Sequence, residues 1–399
     1  MSRRELVSVP VAAGADGVRS LARVLGPAIE GSGPAIAITP RVTANMPERF
    51  ATALTAALEV DAPLTHDDVA VIIATSGSNG EPRGVELSAA ALQATAKLTQ
   101  EALGPPGNWL TALPVTGIGG LMTVIRALIH RTEIVAWSGV GGAASFTPAS
   151  FAAAATQVLT TAGVDGMPAY VSLVPTQLAR IVDDPVTTEL LAGFGAVVSG
   201  GGATPERISE RLRAAGVNLV TTYGLTETCG GVVYDGRPLP GVDVAVDDKG
   251  IISIAGPTLA SGYRFRPDLD KKRFRDGWFC TNDFGAWSDG RLEVFGRIDD
   301  VVKVGGSKVS LTGITNALLR HPRVITALTR AEQDEEWGSV PVSYVVPDSI
   351  SVLEQPAPLE QLQSELSQLV ADSQGRASVP RRFEFRAELP QTASGKPTI

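Results

Sequence analysis

The sequence predicts an α/β protein with a largely parallel central sheet, a β-rich segment after it and a small α+β module at the end. Three observations predict this. Apolar strand-like runs alternate with helix-spaced segments between residues 69 and 222. Turn dipeptides crowd the stretch after residue 232, and mixed helix and strand patterns resume beyond residue 299. A chain of 399 residues is too long for one small core. The expected units are a large N-terminal domain, 1–298, and a small C-terminal α+β domain, 299–399, with the boundary beside Asp299.

Each element follows from local pattern. A short strand and two helices (17–25 and 47–58) open the chain. Residues 69–74 form a continuous apolar run, the mark of a strand buried on both faces. A polar loop, 75–84, follows directly, and Ser88 is placed to cap a helix over 89–102. The loop therefore reads as the link between a strand and a helix. Strands are then expected at 109–113, 134–136, 170–174, 196–199 and 218–222, and helices at 121–130, 151–160, 176–182 and 205–215. Asp235-Gly236, Pro240-Gly241, 247–250, Asp276-Gly277 and Asp289-Gly290 mark hairpins of a small barrel-like subdomain. Helices at 314–320 and 359–371, with strands at 324–330, 340–346 and 382–386, complete the last module.

Composition excludes several functions. Hydrophobic residues make up 44% and charged residues 19%, an ordinary globular balance. Net charge is −8, and the densest basic run, Lys271, Lys272, Arg273 and Arg275, is broken by Phe274 and followed by Asp276. That pattern suits a solvated face, and no nucleic-acid partner is expected. Two cysteines allow neither a disulfide framework nor a zinc site, which fits the reducing cytoplasm. No apolar stretch reaches the ~18 residues of a membrane span. His66, His130 and His321 lack ligand spacing and suggest no histidine-based triad or metal site.

Four segments carry candidate chemistry. The first is Thr75, Ser76, Gly77, Ser78, Asn79, Gly80, then Arg83 and Gly84; small hydroxyl residues and glycines let backbone N–H groups approach phosphate oxygens. An exposed flexible loop has the same composition, and the Walker pattern is absent. The second is Tyr223, Gly224, Thr226 and Glu227 after an apolar strand, which presents an aromatic ring, a hydroxyl and a carboxylate at one strand end. A plain strand-to-loop turn would read the same way. In the third, Asp283 and Arg297 can accept from and donate to ribose hydroxyls, or form an ion pair on a hairpin rim. The fourth is Lys396 in a Ser/Gly-rich tail, a context that by itself suits an exposed terminus.

Taken in order, these segments resemble the acyl-activating superfamily of acyl-CoA synthetases, luciferases and peptide-synthetase adenylation domains. The first resembles [ST]-S-G-[ST]-T-G-x-P-K-G, with Asn79 and Arg83 in place of Thr and Lys. Tyr223 to Glu227 resembles Y-G-x-T-E, and Thr281-Asn282-Asp283 resembles T-G-D with Asn282 for Gly. Residues 296–303 match G-R-x-D-D-x-I-K, and 390–396 resemble P-x-T-x-S-G-K. Within that superfamily, 223–236 and 172–178 look like the short actinobacterial o-succinylbenzoate–CoA ligases of menaquinone synthesis. The phosphate loop also comes early, as in compact members with a truncated first subdomain.

The resemblance implies an AMP-binding fold and an ATP-dependent, AMP- and pyrophosphate-forming acid–thiol ligase using ATP, Mg²⁺ and CoA. It implies o-succinylbenzoate as the acid; another aryl or short acid, or a carrier protein as acceptor, are the alternatives. Lys396 and Thr226 would act on the α-phosphate and Glu227 would hold Mg²⁺. Gly200, Gly201, Gly202 and Ala203 would run along the adenine that Tyr223 packs against, beside Gly224, while Asp283 and Arg297 fix the ribose. Asp299 would be the hinge, and Gly305 and Gly306 would reach the CoA tunnel. Thr116 and Gly117 would line the acyl pocket, Gly117 standing where relatives carry His or an aromatic, and Arg180 would face a distal carboxylate. Relatives are commonly dimeric, so a homodimer is an expected assembly.

Overall fold

Four β-sheets, taken up one after another along the chain, organise the molecule. The computed structural model describes residues 4–43, 46–75, 81–304, 306–334 and 338–390. The first sheet holds β1 (Leu6–Val11), β2 (Ala35–Pro40), β3 (Val69–Thr75) and β4 (Arg83–Ser88). The second runs β5 (Asn108–Thr111), β6 (Ile134–Ala136), β7 (Ala169–Leu173), β8 (Ala196–Ser199), β9 (Leu219–Leu225), β10 (Gly230–Tyr234) and β11 (Arg237–Pro238), in spatial order β11-β10-β9-β8-β7-β5-β6.

β1, β2 and β3 are parallel, as are β6, β5, β7, β8 and β9, which bears out the parallel α/β core. The helices are α1 (Ala15–Glu30), α2 (Glu48–Ala56), α3 (Ala89–Leu103), α4 (Ile118–His130), α5 (Pro148–Asp165), α6 (Pro175–Ile181), α7 (Pro185–Ala192) and α8 (Glu206–Ala214). Ser88 caps α3 as expected, its hydroxyl accepting from the Ala91 amide at 3.1 Å. One continuous apolar core contains Ile36 and Ile73 of the first sheet and Leu110, Val171 and Leu219 of the second. Leu21, Leu92 and Ile125 of α1, α3 and α4 fill it.

The third sheet is antiparallel: β12 (Asp243–Val246), β13 (Ile251–Ala255), β15 (Phe274–Arg275), β16 (Trp278–Ser288) and β17 (Arg291–Arg297). Asp235-Gly236, Asp276-Gly277 and Asp289-Gly290 turn its hairpins and that of β10–β11, each with positive φ at both residues as tight primed turns require. Between β13 and β15 lie β14 (Gly262–Tyr263) and α9 (Pro267–Arg273). β14 leaves this sheet and pairs with β4 of the first. The last sheet combines β18 (Val301–Val304), β19 (Ser307–Ser310), β20 (Val324–Asp334), β21 (Gly338–Pro347) and β22 (Arg382–Phe385) with α10 (Leu311–Leu319) and α11 (Pro356–Gln374). It has a core of its own around Ile314, Leu318, Val345, Leu362 and Leu366.

Three expectations need correction. The segment expected to run from the loop into a helix instead contains a strand: 83–88 pairs antiparallel with β3, with Thr75 opposite Arg83. Tyr223 and Gly224 do not follow a strand but lie inside β9, paired with β10. β2 and α7 were not anticipated. Both are short and bounded by Gly or Pro, which masked their periodicity.

Candidate active site

The parallel strands of the second sheet end together, and their carboxyl-end loops make one edge. These loops are 114–117 after β5, Gly200 to Ala203 after β8, and the turn Thr226–Thr228 after β9. Such edges are where open α/β sheets bind ligands. Gly201, Gly202 and Ala203 are exposed, so their backbone groups are free to meet a ligand, and Gly201 has φ +79°. The Thr222 hydroxyl donates to the Ser199 carbonyl at 3.2 Å and ties β9 to β8 beside this loop.

Three sequence-predicted residues form one hydrogen-bonded chain. Tyr223 Oη donates to Asp283 Oδ2 at 2.7 Å, and Arg297 Nη1 donates to Asp283 Oδ1 at 3.1 Å. Asp283 and Arg297 face each other across β16 and β17, so the hairpin register sets the pair. Burial, then the charge of Asp283, pushes the Tyr223 phenol far above its ordinary range, so it remains a donor. Arg297 also forks onto Asp299 through Nε (2.9 Å) and Nη2 (3.0 Å), and Asn282 Nδ2 donates to Asp299 Oδ2 at 3.1 Å. Burial opposes the Arg297 charge, but the hydrogen bond to Asp299 and the charges of Asp283, Asp299 and Asp300 outweigh it and raise its pKa. The expected ribose pair and the expected hinge acid therefore share one guanidinium.

Glu227 belongs to a second cluster. Its Oε1 accepts from Tyr263 Oη at 2.6 Å, and the Arg83 guanidinium lies 5.9 Å from the Tyr263 ring centre. β14 pairs with β4, and the Ala260 amide donates to the Glu227 carbonyl, which brings the β3–β4 hairpin against the Thr226–Thr228 turn. Gly84 is required there, because a Cβ would lie 2.6 Å from the Ala57 carbonyl and 2.9 Å from Arg264 Cβ. Buried Arg83 Nε has no hydrogen-bond partner among the described residues and keeps a donor unused.

Below this cluster, Arg264 and Glu86 form an ion pair at 3.0 Å with both side chains at 0% exposure. The remaining Arg264 donors go to the carbonyls of Leu58, Glu59, Ala62 and Pro63. Thr65 Oγ1 donates to Glu86 at 2.7 Å, and His66 Nδ1 lies 3.1 Å from it. Sequence reasoning missed Tyr263, Arg264 and Glu86. Their signal was a glutamate inside an apolar strand, which demands a buried cation somewhere.

The acyl candidates separate. Thr116 lines a small cavity with Val11, Val18, Met46, Val115 and Arg41. Gly117, next in sequence but not part of that lining, has open space at its Cβ position, where a side chain would meet the Pro114 carbonyl oxygen at 3.7 Å. Arg180 instead sits exposed on α6 and donates to the Phe146 carbonyl at 2.9 Å, which engages its guanidinium outside that cavity. Gly306 lies at the β18–β19 turn with φ +86°. Ser76, Gly77, Ser78, Asn79, Gly80, Gly305 and Lys396 fall outside the described residues.

Comparison with known proteins agrees with this layout. A family model described as AMP-binding enzyme matches residues 28–264, and one described as AMP-binding enzyme C-terminal domain matches 314–396. A probable 2-succinylbenzoate–CoA ligase of Mycobacterium tuberculosis is 36% identical over 381 residues, covering 94% of this chain and 91% of that protein. A 2-succinylbenzoate–CoA ligase of Bacillus licheniformis is 28% identical over 354 residues, covering 83% and 69%. The fold matches the o-succinylbenzoate CoA synthetase of Bacillus subtilis in complex with its acyl-adenylate intermediate. The TM-score is 0.70 at 22% identity, over 99% of this chain and 87% of that one. An amide bond synthetase from Marinactinospora thermotolerans gives 0.71 at 22% identity, over 100% and 89%.

Proposed function

The chain belongs to the AMP-binding enzymes, and from that premise we propose that it is an ATP-dependent acid–thiol ligase that joins o-succinylbenzoate to coenzyme A, a step of menaquinone biosynthesis. The observation that carries this reading is the 36% identity to the mycobacterial ligase, sustained over 94% of the chain.

The reaction has two halves. A carboxylate oxygen of the substrate attacks the α-phosphorus of ATP and bonds to it, while the bond from that phosphorus to the oxygen bridging the β-phosphate breaks and pyrophosphate leaves. Positioning and charge stabilisation supply most of the catalysis for such a displacement. Tyr223 packs on adenine with the backbone of Gly200 to Ala203 and Gly224 at its edge, and Asp283 and Arg297 hold the ribose. Thr75, Ser76, Gly77, Ser78, Asn79, Gly80 and Arg83 hold the phosphates. Thr226 binds the α-phosphate, and Lys396 bridges it to the incoming carboxylate.

Magnesium fits the residues present. One hard carboxylate, Glu227, beside a phosphate loop suits an ion whose other ligands are water and phosphate oxygens. Among the described residues no cluster of acids forms an all-protein cage. The bound ion would neutralise phosphate charge as pyrophosphate departs.

In the second half the CoA thiol gives up its proton, sulfur attacks the adenylate carbonyl carbon, and AMP leaves. For this the domain 299–399 turns about Asp299 against 1–298, withdrawing Lys396 and bringing Gly305 and Gly306 to the pantetheine. Two arrangements support a movable module: its separate core, and the Arg297–Asp299 fork at its edge. Arg207 donates to the Pro322 and Val324 carbonyls, contacts that the rotation would exchange. Thr116 and Gly117 line the acyl pocket, and Arg41, on the same cavity as Thr116, is better placed than Arg180 for a second carboxylate. A cytoplasmic, homodimeric enzyme belongs to the same reading; no described helix is long and apolar enough to cross a membrane.

The test is pyrophosphate release across a panel of aryl and short carboxylic acids, with and without CoA. o-Succinylbenzoate should turn over fastest. Background release with it, alongside rapid turnover of another acid, would overturn the assignment.

A further inference from the structure

We infer that Tyr263 is a positioning residue for the metal-binding carboxylate, joining Glu227 to the phosphate-loop cation Arg83. The inference rests on the adenylation reading above, in which Glu227 holds magnesium.

The geometry carries it. Tyr263 is 3% exposed, and its hydroxyl donates to Glu227 Oε1 at 2.6 Å. A neutral donor on one carboxylate oxygen fixes the plane of the group without neutralising it. The second oxygen is thereby directed, and the charge a cation needs is retained. The same ring faces the Arg83 guanidinium at 5.9 Å, a distance at which the π face attracts a cation. Tyr263 thus touches the acid with its edge and the base with its face.

Its own position is over-determined. Tyr263 pairs with Val85 in β4, and its amide donates to Asp270 Oδ1 at 2.8 Å. The next residue, Arg264, is locked into the buried pair with Glu86. Nothing in this web needs the Tyr263 hydroxyl, whose hydrogen-bond partner among the described residues is Glu227. A purely structural tyrosine at this place could be phenylalanine.

The test removes only that hydroxyl. The full-length wild type and Tyr263→Phe are titrated calorimetrically with α,β-methylene-ATP, once with excess Mg²⁺ and once with EDTA, and the apo proteins are melted in parallel. The metal-free affinity should agree within about twofold, while the gain from Mg²⁺ falls by about tenfold, the effect of one hydrogen bond to a charged group. Adding Tyr263→Phe to Glu227→Gln should change the Mg²⁺ gain no further, because the hydroxyl acts through that carboxylate. The inference is overturned if Tyr263→Phe keeps the full Mg²⁺ gain. It is equally overturned if the variant loses affinity alike in Mg²⁺ and EDTA, or if the two substitutions add. If the wild type binds no nucleotide under either condition, the adenylation reading itself fails.

Discussion

Asp283 is the residue that joins Tyr223 to Arg297 in the proposed nucleotide site. Its two carboxylate oxygens accept from Tyr223 and Arg297, and it is 5% exposed. Replacing Asp283 by Ala strands a buried phenol and removes an acceptor from Arg297. Hydrogen bonds to charged groups contribute about 1.5–3 kcal/mol each, so KM for ATP should rise by roughly 10- to 100-fold. Steady-state pyrophosphate release measures this, and an unchanged KM would remove Asp283 from the site. The partners Asp283 and Arg297 were legible in the sequence because both stand in ordered motifs. That one guanidinium serves both Asp283 and Asp299 was not, because the cross-strand register of β16 and β17 sets the first contact while the second is made within the turn that follows β17. Arg180, which the resemblance directs toward a distal carboxylate, donates to the Phe146 carbonyl from an exposed position on α6, a contact between distant segments that no local pattern announces.

At the scale of elements, β14 matters more than its two residues suggest. It crosses from the β-rich segment to the first sheet and carries Tyr263 and Arg264 with it. A pairing this short has no periodicity to detect, and its residues lie among hairpin signals that belong to another sheet. β4 was hidden for a related reason: Glu86 interrupts its apolar pattern, and only the fold reveals Arg264 as the compensating charge. Breaking such a buried pair leaves an uncompensated charge and costs about 3–5 kcal/mol. Arg264→Met should therefore lower stability by about that amount in chemical denaturation, and Glu86→Gln in the same chain should restore part of it. A single Arg264→Met within about 0.5 kcal/mol of wild type would show that the pair is not holding β14 in place.

At the scale of the whole molecule, order along the chain was the strongest signal. Residues far apart in sequence, Thr75, Tyr223, Asp283 and Arg297, lie on elements whose succession follows from strand and helix patterning, and the parallel core followed from the same alternation. The way two sheets bring Arg83 against Glu227 did not follow, since it is set by packing between elements rather than within them. The matches to AMP-binding enzymes over 28–264 and to their C-terminal domain over 314–396 fall on either side of the boundary proposed at Asp299.

The most direct measurement is mass-spectrometric analysis of products from the purified chain with ATP, Mg²⁺ and o-succinylbenzoate, before and after CoA is added. The two-step mechanism predicts an enzyme-held acyl-adenylate and pyrophosphate without CoA, then the CoA thioester with AMP in equal amount. AMP release without thioester, or formation of ADP and phosphate, would contradict it.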